Sequence, residues 1–342
     1  MSERLEDIAA RLVASGKGIL AADESSGTIK KRFDTIGLAA TEESRRDYRE
    51  MLFRAPGMKD FISGVILYDE TIRQKAKDGT PLTKIIADAG AIPGIKVDKG
   101  AWRLALAPGE KITEGLDNLR DRLAEYHQLG ARFAKWRAVI DIGPGIPTAN
   151  GLHANAHALA RYAALCQEAG IVPIVEPEVI MDGEVAAHDI DTCYAVTERM
   201  LKAVFEQLAL ANVRLEGTIL KPNMVIAGHK SPKQATAREV AEKTVKILKA
   251  CVPPAVGGIA FLSGGQSDEK ATEHLSLMNA MGPLPWKLTF SYGRALQAAA
   301  IKAWGGKPAN VGAGQRALTH RARMNSLAAT GRWSTEHEKE AA

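Results

Sequence analysis

The chain is expected to fold as a single-domain (β/α)8 barrel, an α/β architecture, with an N-terminal helix and a short C-terminal tail added. Three observations predict this. Eight short apolar runs, at 18–23, 61–68, 92–98, 132–140, 171–178, 214–221, 257–263 and 286–292, are each followed by a longer segment with helical periodicity. Their starts recur roughly every 30 to 45 residues, the length of a strand with the crossover helix that a parallel pair requires. Ionisable and hydroxyl residues gather at the carboxyl end of nearly every run, where the loops of a barrel surround its open face. A doubly wound open sheet would instead carry a Gly-rich phosphate turn after its first strand, and no GxGxxG or GxxxxGK[ST] follows residues 18–23.

Residues 1–16 place Leu5, Ile8, Ala9, Leu12 and Val13 at helical spacing, so an amphipathic packing helix opens the chain. The first apolar run ends in Asp23, and Ser25, Ser26, Gly27 and Thr28 follow it with Lys30, Lys31 and Arg32 shortly after. These read either as a helix start capped by hydroxyls or as a phosphate site. Run three closes with Lys96 and Asp98, run four with Lys135 and Arg137, and run five with Glu176 and Glu178. Strand side chains alternate, so each two-apart pair projects to one face. Taken singly, such a pair fits a solvated loop edge; their recurrence at one end of the runs points to a shared site.

The sixth run ends in one lysine, Lys221, after an apolar stretch that reads as a strand buried on both faces. An ammonium there loses hydration, and burial and neighbouring positive charge favour the neutral amine, the nucleophile of Schiff-base chemistry. A lysine escaping to solvent just past the strand fits this stretch alone equally well. The seventh run leads into Ser263-Gly-Gly-Gln-Ser267, whose small residues let backbone N–H groups approach an anion at a helix start capped by Ser267. After the eighth run, Ser291, Gly293 and Arg294 offer the same with a guanidinium fork. Barrels commonly hold phosphate after these last two strands.

The remaining features bound the function class. At 342 residues, with no Pro/Gly/Ser-rich linker, residues 1–330 are expected to form one catalytic domain and 331–342 a mobile polar tail; 225–236 reads as a longer loop. The net charge of +5 is spread along the chain and only 5% of residues are aromatic, which disfavours nucleic acid and favours a small anionic metabolite. No apolar run reaches a membrane span and no signal-peptide pattern opens the chain, so a cytoplasmic protein without membrane contact is expected. Cys166, Cys193 and Cys251 form no CxxC pair and read as reduced structural residues. His153 and His157 stand four apart without the glutamate of HExxH, so no metal site is expected.

These residues bring the chain to a family: it closely resembles class I fructose-1,6-bisphosphate aldolase. The matching stretches are 17–25, 94–100, 133–137, 171–178, 215–224, 261–267 and 290–297, in order and without large gaps. The resemblance implies cofactor-free, metal-independent retro-aldol cleavage of a phosphorylated ketose, fructose 1,6-bisphosphate, into dihydroxyacetone phosphate and glyceraldehyde 3-phosphate. It also implies a homotetramer. Lys221 matches the Schiff-base lysine, Glu176 the glutamate that moves protons around the carbinolamine, Asp23 the carboxylate that assists C–C cleavage, and Lys135 the lysine beside them. Glu178 and Arg137 are expected to orient these groups. Ser263, Gly264, Gly265, Ser291, Gly293 and Arg294 match the site around the C1 phosphate. Arg32, Ser25, Thr28 and Lys96 match the region of substrate and the other phosphate, although the family often has serine where Thr28 stands. Vertebrate members end in a longer tail with a terminal tyrosine that protonates the enamine; here no tyrosine follows Tyr292. Two rival readings are a Schiff-base aldolase for another sugar phosphate and a scaffold protein that keeps the fold for acidic partners.

Overall fold

The computed structural model describes residues 3–183 and 186–339. Ten strands occur among them: β1 (Gly18–Ala22), β2 (Ile62–Leu67), β3 (Ile92–Lys96), β4 (Ala101–Arg103), β5 (Lys111–Thr113), β6 (Phe133–Ile140), β7 (Val172–Val179), β8 (Ile219–Leu220), β9 (Gly258–Phe261) and β10 (Leu288–Tyr292). Eight of them close into a parallel barrel in the order β1-β10-β9-β8-β7-β6-β3-β2. Each of the eight apolar runs therefore carries one barrel strand, and helices lie between them.

Two local differences from the sequence reading have clear causes. The run at 214–221 is not strand throughout, because Leu215–Gly217 forms a 3-10 turn and only Ile219–Leu220 pairs in the sheet. Gln167 holds that turn, donating to the Arg214 carbonyl at 2.8 Å and accepting from the Arg214 amide at 3.0 Å. Lys221 nevertheless stays in line with the barrel, its amide donating to the Val175 carbonyl at 2.8 Å. The segment after β3, expected as helix, begins with the antiparallel hairpin β4–β5, set off from the barrel, and the helix Leu119–Gln128 starts only afterwards.

The barrel interior is layered by the two-residue period of its strands. Ile19, Ile66, Ile92, Phe133, Val172, Ile174, Ile219 and Ala260 point inward at the lower levels and form one apolar cluster. The opening helix, Leu5–Leu12, joins that cluster through Leu5, Ile8, Ala9 and Leu12, with Val13 beyond it. It plugs the amino-terminal mouth of the barrel. Gly94 makes room for the Phe133 ring, which a Cβ there would approach to 2.3 Å. With the bottom closed by hydrocarbon, the next inward positions up the same strands are the polar ones at the carboxyl end.

Residues 225–236 carry no helix or strand, as expected of a long loop. The segment expected as a mobile tail makes specific contacts as far as it is described. Glu338 pairs with Arg321, lies 3.3 Å from His320 Nε2 and accepts from Trp333 Nε1 at 2.9 Å. Residues 340–342 of that expected tail lie outside the described part.

Candidate active site

Climbing β7 by twos from Ile174 reaches Glu176 and then Glu178; climbing β6 from Phe133 reaches Lys135 and Arg137. The register sets Lys135 beside both Lys96 of β3 and Ile174 of β7, and Arg137 beside Glu176. Strand alternation and parallel pairing together therefore converge charged side chains from several strands at one level of the barrel.

Lys135 is the centre of the network. Its Nζ lies 2.8 Å from Asp23 Oδ2, 3.4 Å from Glu176 Oε2 and 3.9 Å from Asp98 Oδ2. Glu176 turns its other oxygen, Oε1, to Lys221 Nζ at 3.2 Å. Lys96 Nζ lies 2.7 Å from Asp98 Oδ1. Three lysines thus face three carboxylates, and every one of these six side chains is largely buried. Removed from water, such charges persist only with partners this close.

The electrostatic consequences follow from the packing. Burial alone would raise the Asp23 carboxyl, but the positive charges of Lys135 and Lys221 outweigh it and hold the pKa at about 2. Burial alone would lower the Lys135 ammonium, but Asp23, Glu176 and Asp98 drive its pKa well above the ordinary lysine value. A carboxylate thus joins the two central lysines: Glu176 gives one oxygen to each. Its Oε2 is buried and has no hydrogen-bond partner among the described residues.

All sixteen residues assigned to the site with the family resemblance line one cavity of about 1430 Å³ at this end of the barrel. Groups able to bind anions sit on its wall. Gly264 and Gly265 adopt φ of +55° and +79°, and among the described residues neither amide N–H has a partner. Ser291 Oγ is buried without a hydrogen-bond partner, and Arg294 makes no ion pair among the described residues. On the other side, Ser25 is the N-cap of the helix Ser26–Asp34 but does not cap it with its side chain; its Oγ lies 3.2 Å from Thr28 Oγ1. Arg32, grouped in the sequence with Ser25 and Thr28, reaches toward the first set: a Cβ on Gly293 would lie 3.6 Å from its Nη2.

Arg137 pairs with Glu178 at the cavity edge. Two groups outside the sequence-derived set are now evident. Asp98, noted only as the partner of Lys96, also accepts from the amides of Gly100 at 3.1 Å and Arg137 at 3.3 Å. Its two-residue spacing from Lys96 was the available signal. Glu24 anchors Arg32 Nη1 at 2.6 Å and also contacts the buried Arg49 and Gln297. It follows Asp23 directly and so fell on the face that alternation assigns away from the site. The candidate pair His153 and His157 stacks ring to ring with centroids 6.1 Å apart. Among the described residues no three His, Cys, Asp or Glu side chains are grouped to hold a metal ion, and the three cysteines are free.

A buried lysine amine set against a buried carboxylate, with glycine turns on the same cavity wall, fits carbonyl chemistry on a phosphorylated substrate. The family sequence model described as fructose-bisphosphate aldolase class I matches residues 4–342. The chain belongs to the class I fructose-bisphosphate aldolases. It is 59% identical over 332 residues to the probable fructose-bisphosphate aldolase class 1 of Xanthomonas campestris pv. campestris, covering 97% of this chain and 98% of that one. It is 52% identical to fructose-bisphosphate aldolase 1 of Toxoplasma gondii, with 97% and 92% covered. The fructose-bisphosphate aldolase of Plasmodium falciparum, solved in complex with TRAP and a small-molecule inhibitor, superposes with a TM-score of 0.94 at 49% identity, covering 96% of this chain and 95% of that one. This aldolase is a lyase of glycolysis that cleaves fructose 1,6-bisphosphate, a phosphorylated ketose, through a lysine Schiff base without a metal ion. No described helix is long and apolar enough to cross a membrane.

Proposed function

We propose that Lys221 is the Schiff-base lysine of this aldolase and that Glu176, Asp23 and Lys135 carry the proton transfers around it. Lys221 Nζ adds to the substrate ketone, and Glu176 hands a proton to the carbinolamine hydroxyl, which leaves as water. The resulting iminium draws electrons from the neighbouring bond, so C3–C4 cleavage yields a neutral enamine in place of a carbanion. Asp23, kept ionised by Lys135, accepts the proton of the C4 hydroxyl as the aldehyde product departs. Return of a proton to the enamine, from Asp23, Glu176 or water, and hydrolysis of the iminium release dihydroxyacetone phosphate.

The observation that carries this reading is the 3.2 Å approach of buried Lys221 Nζ to Glu176 Oε1. Anion recognition is assigned to two places. Ser263, Gly264, Gly265, Ser291, Gly293 and Arg294 hold the phosphate nearer Lys221; Ser25, Thr28 and Lys96 hold the other, with Arg32 beside Gly293 able to serve the first. Glu178 and Arg137 orient the rim. The family supports a homotetramer working in the cytoplasm, which light scattering and fractionation of the native protein would test.

The decisive experiment is borohydride reduction with dihydroxyacetone phosphate and a chelator present, followed by peptide mass mapping. Adduct on the peptide containing Lys221, together with loss of cleavage in a folded Lys221→Met variant, is expected. Near-normal turnover in that variant would remove the assignment.

A further inference from the structure

We propose that His274 is a positioning residue for substrate phosphate: acting through Gln266, it pins the Ser263 carbonyl and thereby presents the amides of Gly264 and Gly265 to the anion. The inference rests on the reading of the 263–267 turn as a phosphate site.

The geometry is a relay of buried polar groups behind the cavity wall. His274 sits in the helix Asp268–Ala280, which starts directly after the turn, and is only 6% exposed. Its Nδ1 lies 2.6 Å from Gln266 Oε1. Gln266 Nε2 in turn donates to the Ser263 carbonyl at 2.9 Å, and the Gln266 backbone amide donates to the same oxygen at 3.1 Å. Because a carbonyl requires a donor, the Gln266 NH2 must face Ser263 and its oxygen must face His274. Nδ1 therefore carries the ring proton and donates it. Burial, helped by the charge of Lys270, lowers the His274 pKa to about 4, so the ring is neutral at working pH and acts as a fixed donor, not a proton shuttle.

The turn needs such an anchor. Two consecutive glycines in the left-handed region have no side chains to restrain them. If the Ser263 peptide rotated, its carbonyl oxygen could enter the site and repel phosphate, whereas two donors on that oxygen hold it back and leave the glycine N–H groups to the anion. His274 is a buried titratable group that the cleavage steps do not use, and this relay gives it a role.

The test compares His274→Ala, His274→Asn, Gln266→Glu and Arg294→Ala in the full chain, reading kcat, KM for fructose 1,6-bisphosphate, inhibition by inorganic phosphate, and Tm. His274→Ala is expected to raise KM and the phosphate inhibition constant about tenfold, the effect of one lost buried hydrogen bond, with kcat nearly unchanged. Asparagine can place an amide N–H near the position of Nδ1 and is expected to restore both constants. Gln266→Glu, which still accepts from His274 but replaces the side-chain N–H that faces Ser263 with an oxygen and leaves only the backbone amide on that carbonyl, is expected to behave like His274→Ala and stands in for it if that variant does not fold. Unchanged KM and phosphate inhibition in His274→Ala or Gln266→Glu, while Arg294→Ala weakens both, would overturn the positioning role and leave the phosphate site standing. Unchanged constants in Arg294→Ala as well would overturn the phosphate reading on which the inference rests. A lower Tm and kcat without a change in either constant would show a purely structural histidine and overturn the proposal.

Discussion

Lys221 Nζ and Glu176 Oε1 stand 3.2 Å apart, on side chains 5% and 4% exposed, with Glu176 Oε2 on the opposite edge of the carboxyl buried and, among the described residues, without a hydrogen bond. The arrangement puts the proposed proton carrier within reach of the proposed nucleophile, while its second oxygen lies 3.4 Å from Lys135 Nζ. Glu176→Gln keeps the shape and removes the exchangeable acid. Its kcat is expected to fall about 10²- to 10⁴-fold, with a much smaller change in KM. Steady-state kinetics at pH 7 measure this, and a kcat within a few-fold of the parent would take Glu176 out of the proton path.

Lys135 neutralises carboxylates from three strands or their ends, and replacing it tests whether they depend on it. In Lys135→Met, Asp23 loses its largest favourable charge, so its pKa is expected to rise from about 2. A depressed carboxylate contributes stability that is present above its unfolded pKa and lost as pH falls through the folded one. For Asp23 that window runs from about pH 4 down to about 2, and the contribution is on the order of 2 kcal/mol. Thermal melts between pH 2 and 5 should show the parent losing stability more steeply below about pH 4 than the variant, in which the Asp23 contribution is already diminished. Coincident acid limbs would mean that Lys135 does not set the Asp23 pKa.

Lys96 is held by Asp98 at 2.7 Å on the β3 side of the cavity. If it serves the phosphate remote from Lys221, Lys96→Met weakens fructose 1,6-bisphosphate more than fructose 1-phosphate. The ratio of the two kcat/KM values is expected to drop about tenfold or more, because a charge-assisted contact to one phosphate is lost. An equal loss for both substrates would relocate Lys96 to the network around Lys135.

Glu338 is the anchor of the C-terminal segment, and Arg321, its partner, is 4% exposed. Removing residues 331–342 strips a buried guanidinium of this carboxylate and takes Trp333 off the core. The truncated chain is expected to be destabilised by up to about 3 kcal/mol, seen as a lower Tm, while its turnover at 25 °C changes little. A tenfold loss of cleavage without a fall in Tm would instead assign catalytic work to this segment.

The sequence by itself determined the barrel and the level of its polar residues. Both rest on short-range regularities: apolar runs at crossover spacing demand parallel strands, and a period of two decides which side chains share a face. That is why Lys135 and Arg137, or Glu176 and Glu178, could be paired before any contact was known, and why the opening helix could be recognised as packing. It could not show that this helix plugs the barrel mouth, that residues 215–217 leave the strand as a tight turn, or that a hairpin follows β3, since each depends on contacts far along the chain, such as Gln167 with Arg214. The same holds for the charges. Only the closed barrel brings Asp23, Asp98 and Glu176 onto one ammonium, and only the packed structure sets Glu24 against Arg32 and Arg49 and places His274 behind the 263–267 turn. Pairing and desolvation are properties of distance and burial, which arise when strands remote in sequence become neighbours.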